Sequence, residues 1–107
     1  MWDFKILPKA GAIEYFDPEI GASYSYDAST KELISYDNVA EAKLKATYIK
    51  SKGLGGAMYW ESSADRSQTQ SLIRTTAENL GILDQSENQL NYPASEYTNI
   101  VAGMPGE

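Results

Sequence analysis

The sequence predicts an α+β fold in which an antiparallel hairpin leads into a helix–strand–helix segment of a βα-barrel. Three observations carry the prediction. A stretch alternating with period two is followed by turn formers and a second short apolar stretch. Two capped segments carry apolar residues at helical spacing. Between them lies an apolar run without alternation, the pattern of a strand covered on both faces.

Residues 1–12 read as an irregular or briefly helical entry, punctuated by Pro8 and Gly11. A short strand is expected from Ile13 to Phe16, ended by Asp17-Pro18. In Ile20–Tyr26 the residues Ala22, Tyr24 and Tyr26 alternate with Ser23 and Ser25, and the tyrosine side is expected to be the packed one. Asp27-Ala28-Ser29-Thr30 are turn formers, and Leu33-Ile34-Ser35-Tyr36 completes the hairpin.

Asn38 is placed to cap a helix, with Glu41 three residues on in capping-box spacing. Val39, Ala42, Ala46 and Ile49 share a face, widened by Leu44 and Tyr48, while Glu41 and Lys45 form an i,i+4 pair. Gly53 supplies a left-handed stop. The apolar run Leu54-Gly55-Gly56-Ala57-Met58-Tyr59-Trp60 is the expected buried strand. A second helix is expected over residues 67–80, capped by Ser67 with Gln70 and closed by Gly81. Its inner face would hold Leu72, Ile73, Thr76, Ala77 and Leu80. Residues 82–107 read as an extended tail lying over a larger body. No second parallel strand is offered beside residues 54–60, so the segment reads as part of a larger barrel.

Composition narrows the function classes. The 107 residues include 9 Lys and Arg against 15 Asp and Glu, a net charge of −6. There is no basic stripe, so phosphate-driven nucleic-acid binding is not expected. No apolar run approaches the roughly 20 residues of a membrane helix, and no membrane partner is expected. The chain has neither His nor Cys, which removes disulfides and the usual transition-metal ligand sets; no metal and no cofactor are expected. Met1–Lys5 lacks the basic start and apolar core of a signal peptide. An export signal, if the parent is secreted, is expected upstream.

Four segments then carry a resemblance. They are Trp2-Asp3-Phe4-Lys5-Ile6-Leu7-Pro8; Ala22–Asp27; Leu33–Asp37; and Gly53-Leu54-Gly55-Gly56-Ala57-Met58-Tyr59-Trp60-Glu61-Ser62. Together with the tail residues Leu83-Asp84-Gln85, Asn91-Tyr92-Pro93, Tyr97 and Asn99-Ile100, the chain resembles the secreted fungal endochitinases of glycoside hydrolase family 18. The resemblance implies a TIM (β/α)8 barrel with a small α+β insertion domain between the seventh strand and its helix. Residues 1–37 would be the later part of that insertion, and 38–107 the end of the barrel. Within the latter, 38–52 would be the seventh helix, 54–60 the last barrel strand, 67–80 the last barrel helix and the remainder a C-terminal tail.

The resemblance also implies site residues. Trp60 would be the floor on which the sugar next to the scissile bond stacks, its ring meeting the apolar face of a pyranose. Met58, two residues back, would line the pocket wall. Trp2 is expected to pack structurally, Tyr24, Tyr26 and Tyr36 to form the insertion domain's core, and Glu61 to cap or face a loop. The family works by substrate-assisted retaining catalysis, with an acid glutamate and an orienting aspartate in an Asp-x-Asp-x-Glu series. The aspartates here are 3, 17, 27, 37, 65 and 84, and none begins such a series. No catalytic residue is expected in this chain, and no hydrolysis by it alone.

Beside a structural remnant with no ligand, two readings stay open on sequence. One is a piece of a chitin-hydrolysing enzyme whose partner is chitin or a chito-oligosaccharide held by the whole barrel, exported with its parent. The other is a non-catalytic chitin-binding or interaction module. Either could self-associate through the unpaired strand 54–60.

Overall fold

The computed structural model describes residues 1–103. A three-stranded antiparallel sheet leads into two packed α-helices. The strands β1 (Ile13–Asp17), β2 (Ala22–Asp27) and β3 (Glu32–Ser35) run in the order β1-β2-β3. The expected hairpin is therefore a meander: the segment from Ile13 pairs with β2 in the register Ile13↔Tyr26 to Asp17↔Ala22. At the other edge Tyr24 pairs with Ser35 and Tyr26 with Leu33. The β2–β3 turn is held by Asp27, whose Oδ1 accepts from Ser29 N at 2.8 Å, Ser29 Oγ at 2.6 Å and Thr30 N at 3.3 Å. The Ser29 hydroxyl and amide hold this exposed carboxyl down at about 2.

The sheet packs through the opposite face from the one its aromatic pattern suggests. Ser23 and Ser25 are buried, whereas Tyr15, Tyr26, Ile13 and Leu33 remain exposed on the other side. Tyr15 and Tyr24 stack there with centroids 5.1 Å apart. The reason lies in hydrogen bonding: Ser23 Oγ donates to Tyr36 O and accepts from Asn38 N at 3.1 Å. A small hydroxyl thus brings the sheet against the start of the next helix, where a tyrosine ring would hold them apart. Tyr36 donates to Glu14 Oε2 at 2.5 Å, and Asn38 Nδ2 donates to Glu14 Oε1 at 3.0 Å. Burial and the Glu14 carboxylate push the Tyr36 phenol up to about 12.

Helix α1 (Val39–Lys52) follows the sequence reading at both ends. Asn38 Oδ1 accepts from Glu41 N at 2.9 Å. Gly53 sits at φ 61°, ψ 34°, and the Leu54 and Gly53 amides donate back to Ile49 O at 3.0 Å and Lys50 O at 3.2 Å, a Schellman ending. No neighbouring atom lies within 4 Å of where a Gly53 side chain would start. Gly53→Ala will therefore cost about 1 kcal/mol through backbone strain alone, measured as a shift in urea midpoint at unchanged m-value. The inner face holds Ala42 and Ala46 as expected, but Leu44 and Tyr48 are exposed and Glu41 is buried in their place.

The second helix, α2 (Leu72–Leu80), begins later than the sequence suggests. Ser67 makes no side-chain cap, and Gln68–Gln70 form a 3-10 turn instead. Ser71 is the cap, its Oγ accepting from Arg74 N at 2.9 Å. Asp65 decides the start, because its carboxylate accepts from Leu72 N at 2.9 Å and Ile73 N at 3.2 Å. A long-range side chain overrides the nearer Ser67-x-x-Gln70 pattern.

Residues 54–60 form no strand ladder and are exposed, contrary to the buried strand expected there. A strand is a property of its neighbours, and the sheet among the described residues contains only β1, β2 and β3. The apolar core is correspondingly small: among the described residues the buried apolar side chains are Leu7, Ala42, Ala46 and Leu72. The described chain has a radius of gyration of 18.3 Å, against about 13 Å for a compact domain near this length. Beyond α2 it is extended up to a short helical turn, Thr98–Val101. The last four residues of the expected tail, 104–107, lie outside the described residues. No helix among the described residues is long and apolar enough to cross a membrane.

Candidate functional site

The site is built on the seven residues between α1 and the loop before α2. The Schellman ending at Gly53 turns the chain away from α1, and Gly55 and Gly56 carry it alongside α2. Tyr59 then fixes the orientation. Its hydroxyl meets Thr76 Oγ1 and donates to Leu72 O at 3.3 Å, so its ring lies on the α2 side. Ala57 and Tyr59 line a hollow of about 250 Å³ on that side, together with Ile73, Thr76 and Leu80. Met58 and Trp60 flank Tyr59 in an extended run and emerge to solvent, 79% and 91% exposed. Alternation along the segment therefore survives although no ladder forms.

The loop after Trp60 is strongly tied. The Trp60–Glu61 peptide is cis. Glu61 caps the 3-10 turn Ser62–Ala64, accepting from Ser63 Oγ at 2.5 Å and Ser63 N at 3.4 Å. Its carboxylate is thus engaged locally, in the capping role read from the sequence. Asp65 accepts from Ser71 Oγ at 2.6 Å and Arg66 N at 2.8 Å in addition to the two α2 amides. Burial alone would raise its pKa, but these four donors outweigh it and hold the carboxyl below the usual range.

Arg66 joins this loop to the N-terminal segment. Its guanidinium donates to Leu7 O and to Gln70 Oε1 at 2.9 Å, and lies 4.7 Å from the centre of the Phe4 ring. Lys5 Nζ donates to Ser63 O at 2.8 Å. Residues 4–7 and 61–66 are therefore held together as one bracket. Trp2 is half exposed, with the Lys9 ammonium 4.2 Å from its ring centre. Sequence reading missed Asp65 and Arg66, whose partners lie 6 to 8 and 59 residues away. Only the pair Asp-Arg ahead of a helix hints at them.

Chemically the arrangement offers one broad, exposed indole beside a thioether, with the nearest carboxylate in sequence already bonded to its own turn. It can hold an apolar face of a ligand. Among the described residues no group of three or more carboxylates stands together as a metal cluster.

Comparison with known proteins decides the lineage. Residues 2–65 match the model of glycosyl hydrolases family 18. The chain belongs to that family. Its relatives include Endochitinase 1 of Metarhizium robertsii, 55% identical over 94% of this chain and 24% of that protein. Chitinase 1 of Aphanocladium album is 50% identical over 97% of this chain and 25% of its own length. The chain thus spans about a quarter of the length of these curated relatives. Among solved structures, chitinase ChiA74 from Bacillus thuringiensis superposes with a TM-score of 0.62 at 34% identity, covering 78% of this chain and 15% of that one. The chitinase RmChi1 from Rhizomucor miehei gives 0.58 at 26% identity, covering 72% and 21%. The match to family 18 includes the site segment and the bracket as far as Asp65.

Proposed function

We propose that this chain is the portion of a family 18 chitinase that supplies the sugar-stacking tryptophan, while the catalytic acid and its aspartate partner come from another part of the barrel. The parent would hydrolyse β-1,4-linked N-acetylglucosamine polymers with retention, the substrate's own N-acetyl group acting as nucleophile. Residues 1–37 would belong to the insertion domain. The remainder would close the barrel, with α1 as seventh helix, 54–60 as eighth strand and α2 as eighth helix. The parent would act outside the cell.

One observation supports this reading most directly. Tyr59 turns towards α2 while its neighbours Met58 and Trp60 are left largely open to solvent. In a barrel the side of a strand opposite its helix is the interior, and the C-terminal end of that strand is where substrates are met. Trp60 is the last apolar residue of the segment, so its indole would stand at that mouth, with Met58 one layer deeper. The unmade ladder of 54–60 is what neighbouring barrel strands would complete. In their absence the same open backbone offers pairing to a second copy, and self-association through 54–60 would follow.

The chemistry predicts a null result that is easy to read. General acid catalysis contributes about 10²–10⁴-fold, and no Asp-x-Asp-x-Glu series is present. Incubated with a fluorogenic chito-oligosaccharide, the chain alone will release no more fluorophore than buffer. Turnover above buffer that disappears in Glu61→Gln would overturn the reading, because the carboxylate assigned here to a local cap would then be the acid.

A further inference from the structure

Among the described residues Glu41 is the one acidic side chain enclosed in the core, 2% exposed, and the reason for its position is a displaced hydrogen bond. In a capping box the third residue of the helix reaches back to the cap residue's amide. Here the Asn38 amide already donates to Ser23 Oγ at 3.1 Å. The bond that joins sheet to helix has therefore taken the donor that Glu41 would use. Its Oε2 is left with no hydrogen-bond partner. Its Oε1 lies 4.0 Å from Lys45 Nζ, but that ammonium is half exposed and sits 2.5 Å from Asp37 Oδ2. From the other side the β1–β2 turn closes over the carboxyl: a methyl built on Gly21 would lie 3.8 Å from Oε1.

The charged groups around it give little compensation. On α1 and its cap these are Lys45, shared with Asp37. On the β1–β2 turn they are Glu19, which is exposed, and Asp17, whose Oδ1 accepts from the Glu19 and Ile20 amides at 2.9 and 3.4 Å. On the sheet, Glu14 is occupied by Tyr36 and Asn38. An ionised Glu41 would thus be a buried charge with one stretched ion pair to an ammonium that Asp37 already holds, which is costly. A neutral Glu41 is simply a packed side chain.

We propose that Glu41 is a proton-operated latch between the three-stranded sheet and α1, closed when its carboxyl is neutral and loosened when it ionises. Burial acts in the same sense, pushing the Glu41 carboxyl above its ordinary 4.5, with Asp37 adding to the rise and Lys45 opposing it. The linkage sign follows. A carboxyl whose folded value lies above its unfolded one contributes stability that is complete below the unfolded value. That contribution is lost as pH rises through the folded value. The joint tightens on mild acidification.

The test is urea unfolding of the full chain and of Glu41→Gln, which keeps the shape but cannot ionise, from pH 4 to pH 8. Above pH 4.5 the wild-type unfolding constant, relative to the variant's, should rise towards about tenfold per pH unit until Glu41 has ionised. Hydrogen exchange of the first-turn amides of α1 and of β2 should accelerate over the same interval in the wild type and not in the variant. Parallel stability curves for the two proteins would overturn the proposal. Should Glu41→Gln fail to fold, the side-chain carboxyl carbon of Glu41 is followed by NMR in the unmodified chain. Titration above 4.5 supports the latch, and titration at or below it rejects it.

Discussion

Leu7→Ala will lower the stability of this chain by about 2–5 kcal/mol, the range for emptying an enclosed leucine site. Leu7 is 2% exposed and among the largest fully enclosed side chains. The cavity left behind will not collapse readily, because the backbone is held on both sides. The Leu7 amide donates to Phe4 O at 3.0 Å, and its carbonyl accepts from the Arg66 guanidinium. With so few apolar side chains fully enclosed, the loss would be a large share of the 5–15 kcal/mol typical of a domain. Urea unfolding provides the measure. Ile6→Ala is the control, since Ile6 is about half exposed and its truncation should cost well under half as much. A Leu7→Ala midpoint within error of the Ile6→Ala value would show that the N-terminal segment does not belong to the core.

Asp65→Ala will cost about 3 kcal/mol, the upper range for hydrogen bonds to an ionised group. One carboxylate holds four donors: the Leu72 and Ile73 amides of α2, the Ser71 hydroxyl and the Arg66 amide. Its charge also faces the positive end of α2. Removal would leave two first-turn amides unsatisfied and free Ser71 to turn, so the effect should spread into α2. Asp65→Asn should cost less, since an amide oxygen can still accept two of the four bonds.

The pH dependence separates charge from shape. The Asp65 carboxyl is held below its unfolded value by its donors, against the upward push of burial. Its stabilising contribution is therefore complete above the unfolded value and is lost as pH falls through the folded one. Wild type and Asp65→Asn should converge in stability on strong acidification. A gap that stays constant from pH 7 to below the ordinary carboxylate range would mean that the charge contributes nothing. Glu41 runs in the opposite sense, so the two joints of this chain, sheet to α1 and bracket to α2, respond to acid in opposite directions.

Much of the architecture was legible in the residues themselves. Asn38 and Gly53 bound α1 because capping and the left-handed stop are local chemistry, determined within four or five residues. The β2–β3 turn followed from Asp27-Ala28-Ser29-Thr30 for the same reason. The absence of an Asp-x-Asp-x-Glu series was legible too, since a missing motif needs no coordinates. Ordered matches along the chain, from Trp2 to the Gly-Gly-Ala-Met-Tyr-Trp segment, identified family 18 before any packing was known.

Tertiary structure decided what depends on partners distant in sequence. It buried the serine face of β2 in place of the tyrosine face, because Ser23 bonds the backbone of Asn38, fifteen residues on. It moved the start of α2 to Leu72, because Asp65 reaches over the nearer pattern at Ser67. It buried Glu41, which helical periodicity would leave beside Lys45 on the solvent side. It also left 54–60 without a ladder, for an apolar run states only that a strand wants neighbours, not that they are there. Local sequence sets caps, turns and periodicity, whereas the choice of buried face and the pairing of an edge are made by whichever surface comes to meet it.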